Sequence, residues 1–154
     1  MTMETGTASQ RIVRLWANNR NALIALAERL PEFTAGYKPW SDARSTLDLL
    51  NHIAWAGELF LACAVGREMK KIPEGTTIAE ARKILAETFA EQSAEISKLS
   101  EADLAKNGHI ALINLTEPAG DMLHRMVIHE AHHKGQLLVY ARMQGIEPPF
   151  FLAG

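Results

Sequence analysis

Near the C-terminus, Met122, Met126, His129, His133, Leu137 and Tyr140 recur at intervals of three and four, which places all six on one stripe of a helix. The two histidines thus occupy positions where a core-facing helix is otherwise apolar. Burying two imidazoles side by side is costly unless each is hydrogen-bonded or ligated, and a shared cation satisfies both at once. Any fold of this chain has to supply partners for these two rings.

Three readings of His129-Glu130-x-x-His133 compete. The letters match the zincin protease pattern, in which two histidines hold zinc and the glutamate is the general base. Such enzymes take a third ligand from further along the chain, and only Glu147 remains there, in a Gly145-Ile146-Glu147-Pro148-Pro149 turn. The second reading completes the site from another helix, with His52 as the candidate. In the third the histidines are merely hydrogen-bonded or solvated. His132, about 100° round the helix from His133, and His124 read as surface or supporting residues. The sequence assigns His109 no role.

A chain of 154 residues has the usual size of one domain. Its formal net charge of −2 and the lack of a dense Lys/Arg run argue against a nucleic-acid partner. The N-terminal Met1-Thr2-Met3-Glu4-Thr5-Gly6-Thr7 lacks a basic region followed by an apolar run, and no stretch approaches a membrane span. A cytoplasmic protein with no membrane partner is expected, and the single Cys63 suits a reducing compartment.

Four long helices are expected. The first runs from about Ala8 to Leu30, stopped by Pro31, with Asn18, Asn19 and Asn21 read as a solvated face. A capping box at Ser45-Thr46-Leu47-Asp48 opens the second, to about Val65, whose stripe of His52, Trp55, Leu59 and Cys63 points inward. Glu58 reads as part of a salt-bridged face and Cys63 as a small core residue. Thr77-Ile78-Ala79-Glu80 reads as a capping box for the third helix. Its stripe of Ile78, Ala81, Leu85, Phe89, Gln92, Ile96 and Leu99 suits packing, including a dimer surface. Ser100 to Asp103 starts one further short turn, and Gly108 to Leu115 is irregular or briefly extended. Thr116 is expected to cap the fourth helix, with Pro118 in its first turn and Gly145 closing it. Four such helices with short connections pack as an all-α, single-domain four-helix bundle spanning residues 1–154, where inward side chains of facing helices build metal sites.

Leu49-Leu50-Asn51-His52-Ile53-Ala54, followed much later by His129-Glu130-x-x-His133-x-Gly135-Gln136-Leu137, resembles the DinB/YfiT-like superfamily of metal-dependent enzymes. Trp16-x-x-Asn19-Arg20 and Gly145-x-x-Pro148-Pro149 also resemble its members. The resemblance implies a four-helix bundle, commonly a homodimer, with one divalent metal ion, zinc or nickel by preference, held by His52, His129 and His133. It further implies thiol-dependent transferase or isomerase chemistry with a low-molecular-weight thiol such as bacillithiol or mycothiol, and leaves the substrate open.

Three neutral imidazoles leave the charge of such a metal uncompensated and a coordination position open, the arrangement of catalytic rather than structural zinc. Glu130 is a candidate base, if the helix face curves into the pocket, and a surface carboxylate otherwise. Gln136, three residues after His133, is a candidate donor to substrate; Gly135 admits a close neighbour, and Trp55 and Tyr140 are candidate pocket walls. The leading expectation is therefore a divalent-metal-dependent enzyme, a thiol-dependent S-transferase or hydrolase acting on a small electrophile. Its rival is a non-catalytic metal-binding stress-response or interaction module.

Overall fold

Hydroxyl caps start four of the five helices in the computed structural model, which describes residues 6–149. Helix α1 (Ala8–Arg29) begins at Thr7, and α2 (Thr46–Val65) at Ser45, each closed by a reciprocal capping box with the residue three positions on. Helix α3 (Ile78–Ser97) begins at Thr77, but its expected box is only half made. The Thr77 hydroxyl accepts from the Glu80 amide, whereas the Glu80 carboxylate turns back to the Thr76 amide and hydroxyl. The Glu32 carboxylate instead accepts from the Ile78 and Ala79 amides, both at 2.9 Å. Ser100 caps the short α4 (Glu101–Ala105).

The segment expected to be irregular forms an antiparallel hairpin, β1 (Asn107–Ile110) with β2 (Leu115–Pro118), joined by a turn in which Asn114 is left-handed at φ 48°. Thr116 consequently does not cap the last helix: its hydroxyl pairs with His109 Nδ1 across the hairpin at 2.8 Å. Helix α5 (Ala119–Met143) starts after Pro118 without a side-chain cap, and Gly145, at φ 75°, ends it as expected. The hairpin lies directly on α2. A Cβ on Gly108 would fall 2.6 Å from the Cys63 carbonyl oxygen, so only glycine permits this approach.

Helix α1 packs against α3 and α5, and α2 against the same two, so α1 and α2 occupy opposite corners of a four-helix bundle. The α3 stripe faces inward, with Ile78, Ala81, Leu85, Gln92 and Ile96 buried, so it is consumed by the core and unavailable as the dimer surface expected of it. None of the described helices is long and apolar enough to cross a membrane.

The core is split. One apolar cluster joins Leu23, Leu26, Leu50, Ile53, Leu85 and Leu137; another joins Ile12, Trp16, Leu61, Ile96, Met122 and Met126. Between them each of the four long helices contributes buried polar side chains: Asn19 and Arg20, Glu58, Gln92, and Glu130 with Lys134. Two of these, Asn19 and Glu130, correct the sequence reading, and Glu58 is ion-paired as expected but buried. Asn19, expected in solvent, is buried; it donates to the Val127 carbonyl at 3.1 Å and accepts from Lys134 Nζ at 2.9 Å. Glu58 is 1 % exposed and paired with Arg67 at 2.6 Å. Glu130 is 2 % exposed, far from the surface carboxylate expected. Both its oxygens accept from Arg20, itself fully buried, and Oε1 also accepts from Trp16 Nε1.

Removing one partner of a buried, hydrogen-bonded ion pair leaves an uncompensated charge, at a cost of about 3–5 kcal/mol. Glu130→Leu is therefore expected to lower unfolding free energy by about that much. Arg20→Met/Glu130→Leu should regain most of the loss. Urea denaturation decides the matter; a single-variant cost within experimental error would remove the pair from the account of stability.

Candidate functional site

Facing stripes of α2 and α5 bring together the three histidines singled out in the sequence. His129 Nε2 lies 3.2 Å from His52 Nε2 and 3.1 Å from His133 Nε2. Each of the three residues offers one ligand nitrogen, and all these atoms fall within 4.8 Å of one another. Among the described residues this is the only group of three or more His, Cys, Asp or Glu side chains so placed. All three histidines are half-buried.

The spacing fits a shared cation. Nitrogens about 2.0–2.1 Å from a tetrahedral zinc ion stand roughly 3.3 Å apart, close to what the apposed Nε2 atoms show. Proton accounting agrees. His133 Nδ1 is 2.6 Å from Gln136 Oε1, an acceptor, so Nδ1 carries the hydrogen and Nε2 of the neutral ring presents a lone pair to the cluster. Hydrogen bonds alone leave His129 Nε2 a single proton to share between two neighbours. A cation accepts all three lone pairs.

The environment keeps the rings neutral. Burial, then the Arg44 charge and His133, push His52 down to about 4. Burial followed by His133, His52, His132 and Arg44 pushes His129 to about 4 as well. His133 is lowered by burial, partly opposed by its bond to Gln136 and reinforced by His132 and Arg44. His132 is exposed on α5, with its ring centroid 4.9 Å from that of His133.

His52 opens onto a cleft of about 510 Å3 lined by Arg44, Asp48, Asn51, Trp55, the 72–74 loop and Leu112 from the hairpin turn. The loop is positioned from α2 itself. Asn51 Nδ2 donates to the Gly75 carbonyl and Asn51 Oδ1 accepts from the Gly75 amide, both at 2.9 Å. Trp55, expected as a pocket wall, is one: its ring stacks on His52 at 5.9 Å between centroids and 29° between planes. Tyr140, the other candidate wall, lies in the core, and its hydroxyl donates to the Arg44 carbonyl at 3.0 Å.

Gln136 sits beside the site as a partner of His133. Glu130 is turned to the other side of α5, where Arg20 and Trp16 occupy its carboxylate. Gly135 has open space where a Cβ would be, so no neighbour among the described residues uses its small size. Cys63 is half-buried, with its thiol pushed up by burial. Sequence reasoning missed Arg44. The one available signal was its place immediately before the Ser45 cap of the helix that carries His52.

The sequence model of the DinB superfamily matches residues 15–137. The uncharacterized protein YjoA of Bacillus subtilis is 31% identical over 154 residues, covering 93% of this chain and 96% of YjoA. The crystal structure of YjoA superposes with a TM-score of 0.77 and 23% identity, over 94% of this chain and 99% of that one. YfiT from Bacillus subtilis, described as a probable metal-dependent hydrolase with an unusual four-helix bundle topology, superposes at TM-score 0.75 and 11% identity, over 96% and 94% of the two chains. A mycothiol-dependent maleylpyruvate isomerase aligns at TM-score 0.55 and 14% identity, over 89% of this chain and 63% of its own.

Unfolded histidines bind protons near pH 6.5, whereas His52 and His129 do so at about 4 in the folded chain. Between these values the unfolded state holds protons that the folded state refuses, so stability falls as pH falls through that window and is unaffected above it. Melting of the metal-free protein from pH 7 to 4.5 should show this decline, and His52→Gln/His129→Gln should flatten it. Identical slopes for parent and variant would contradict the assignment.

Proposed function

This chain belongs to the DinB superfamily, and from that premise we propose that it is an enzyme that uses one divalent metal ion, held by His52, His129 and His133, to activate a nucleophile against a small electrophile. The observation that carries this reading is the convergence of three neutral Nε2 atoms at 3.1 and 3.2 Å beside an open cleft. A divalent ion in that position supplies Lewis acidity, which makes a ligating water or thiol nucleophilic near neutral pH.

The chain's own residues do the rest. Gln136 fixes the tautomer and ring angle of His133. Burial and Arg44 keep His52 and His129 deprotonated, as ligation requires. Trp55 orients His52 by stacking and walls the cleft. Two reaction types suit such a site: hydrolysis, the activity named for YfiT, and group transfer from a low-molecular-weight thiol, in keeping with the mycothiol-dependent neighbour. We favour zinc or nickel, since imidazole suits both. Of the two candidate catalytic side chains, Gln136 acts through His133, and Glu130 acts by holding α5 to α1.

A purely structural metal staple is the less favoured reading. Structural sites are closed, whereas all three histidines are only half-buried and one of them, His52, lines a cleft of about 510 Å3. The proposal extends to a homodimer, for which the exposed Ile128, Val139 and Met143 of α5 offer apolar surface, and to a cytoplasmic setting compatible with the single Cys63.

Metal content of purified variants tests the site. His52→Ala, His129→Ala and His133→Ala should each lose bound metal while remaining folded by circular dichroism, and His132→Ala should keep it. Gln136→Leu should weaken affinity by about 10–100-fold. Retention of metal by folded His52→Ala would remove the cross-helix site and with it the proposal.

A further inference from the structure

Resting on the reading that substrate reacts at the His52 side of the cleft, we propose that this cleft is built for a monoanionic ligand with a flat apolar body, its carboxylate on Arg44 and its body on Trp55 and Leu112. The cleft's volume of about 510 Å3 suits a small molecule. Its chemistry is divided along α2. Arg44 precedes the helix, His52 lies two turns in, and Trp55 one turn beyond, so a ligand bridging Arg44 and Trp55 passes over His52.

Arg44 is exposed, and among the described residues its side chain makes no hydrogen bond or ion pair. Its backbone is nonetheless fixed, because the Arg44 carbonyl accepts from Tyr140 and Ser45 is the cap of α2. A positioned cation with a free guanidinium fork matches a carboxylate, which it can bind through two parallel N–H···O bonds. The opposite end is apolar. Trp55 is 39 % exposed and Leu112 is 73 % exposed, each a large side chain left in water at the mouth of a cleft. An aromatic ring stacked on Trp55 gains both area and ring-to-ring contact.

Two acids share the cleft, and they set the ligand's charge. Asp48 is committed to the helix cap, where its Oδ2 accepts from the Ser45 amide. Glu74 stands on the loop opposite, exposed. Two carboxylates beside one cation penalise a phosphate dianion more than a monoanion, so the anion's place is the Arg44 guanidinium itself.

Titration of the metal-free protein at pH 8, where the histidines are neutral, separates this proposal from the metal site. The probes are benzoate, benzyl alcohol and phenyl phosphate, followed by calorimetry and by the indole N–H resonance of Trp55, assigned with Trp55→Phe. Benzoate should bind at least tenfold tighter than either other probe. Arg44→Gln should bring benzoate down to the benzyl alcohol level, with Arg44→Lys regaining part of the difference. Trp55→Ala should weaken benzoate and benzyl alcohol in parallel, and Glu74→Gln should tighten benzoate and phenyl phosphate while leaving benzyl alcohol unchanged. Absence of saturable benzoate binding, or an unchanged benzoate preference in folded Arg44→Gln, overturns the proposal. Failure of the histidine variants to lose metal overturns the metal reading and leaves this selectivity measurable.

Discussion

The buried contact between Arg20 and Glu130 fixes how α5 is turned about its own axis, and the site depends on that angle. Glu130 follows His129 and Lys134 follows His133, so each structural residue sits about 100° round the helix from a site residue. Glu130 is held by Arg20 and Trp16, and Lys134 by Asn19, all from α1. With those two anchors seated, His129 and His133 face α2, where His52 waits. A buried ion pair adds little net stability over an apolar replacement, and its value here lies in rejecting other rotations, each of which would strand a charge.

The same logic explains the divided core. Two apolar clusters hold the ends of the bundle, and either would tolerate some sliding or rotation of a helix. The polar layer between them would not. On the α2 and α3 side Glu58 gathers Arg67, the Lys70 amide and Gln92; burial alone would raise its carboxyl, and these bonds more than offset that and hold it below the usual range. Burial holds the Lys134 ammonium below the ordinary lysine value, with the Glu130 charge opposing. Specific, directional contacts thus lie at the level where the histidines must be placed.

Much of this was legible in the sequence, because caps and stripes are local. Ser45, Thr77 and Ser100 act through residues three positions away, and the stripe from Met122 to Tyr140 needs only helical geometry. The resemblance carried His52 into the site, and Trp16-x-x-Asn19-Arg20 was visible as a signature without its purpose. Its partners lie more than a hundred residues away, so no local rule could show that these side chains meet Glu130, Val127 and Lys134. The hairpin failed for another reason: Thr-x-Pro before a helical run is good capping chemistry, and only the cross-strand partner His109 diverts the Thr116 hydroxyl. Arg44 was hidden because an arginine before a cap has no periodicity to mark it.

The cleft shows how few residues need to be placed for chemistry once the bundle is set. Asn51 and His52 are neighbours on α2; one ties down the loop through Gly75 and the other joins the histidine cluster. Gly75 is required there, since a Cβ would lie 2.5 Å from the Ala81 amide nitrogen. The loop that carries Ile72, Pro73 and Glu74 across the cleft is therefore fastened one residue from the ligand set, and the hairpin that carries Leu112 is seated on the backbone of α2 through Gly108. Three walls of the cleft thus refer to one helix. Shifts of α2 carry cleft and histidine together, so a ligand on Arg44 and a metal ion on His52, as proposed, would keep a constant separation, which is the condition for orientation to contribute to rate.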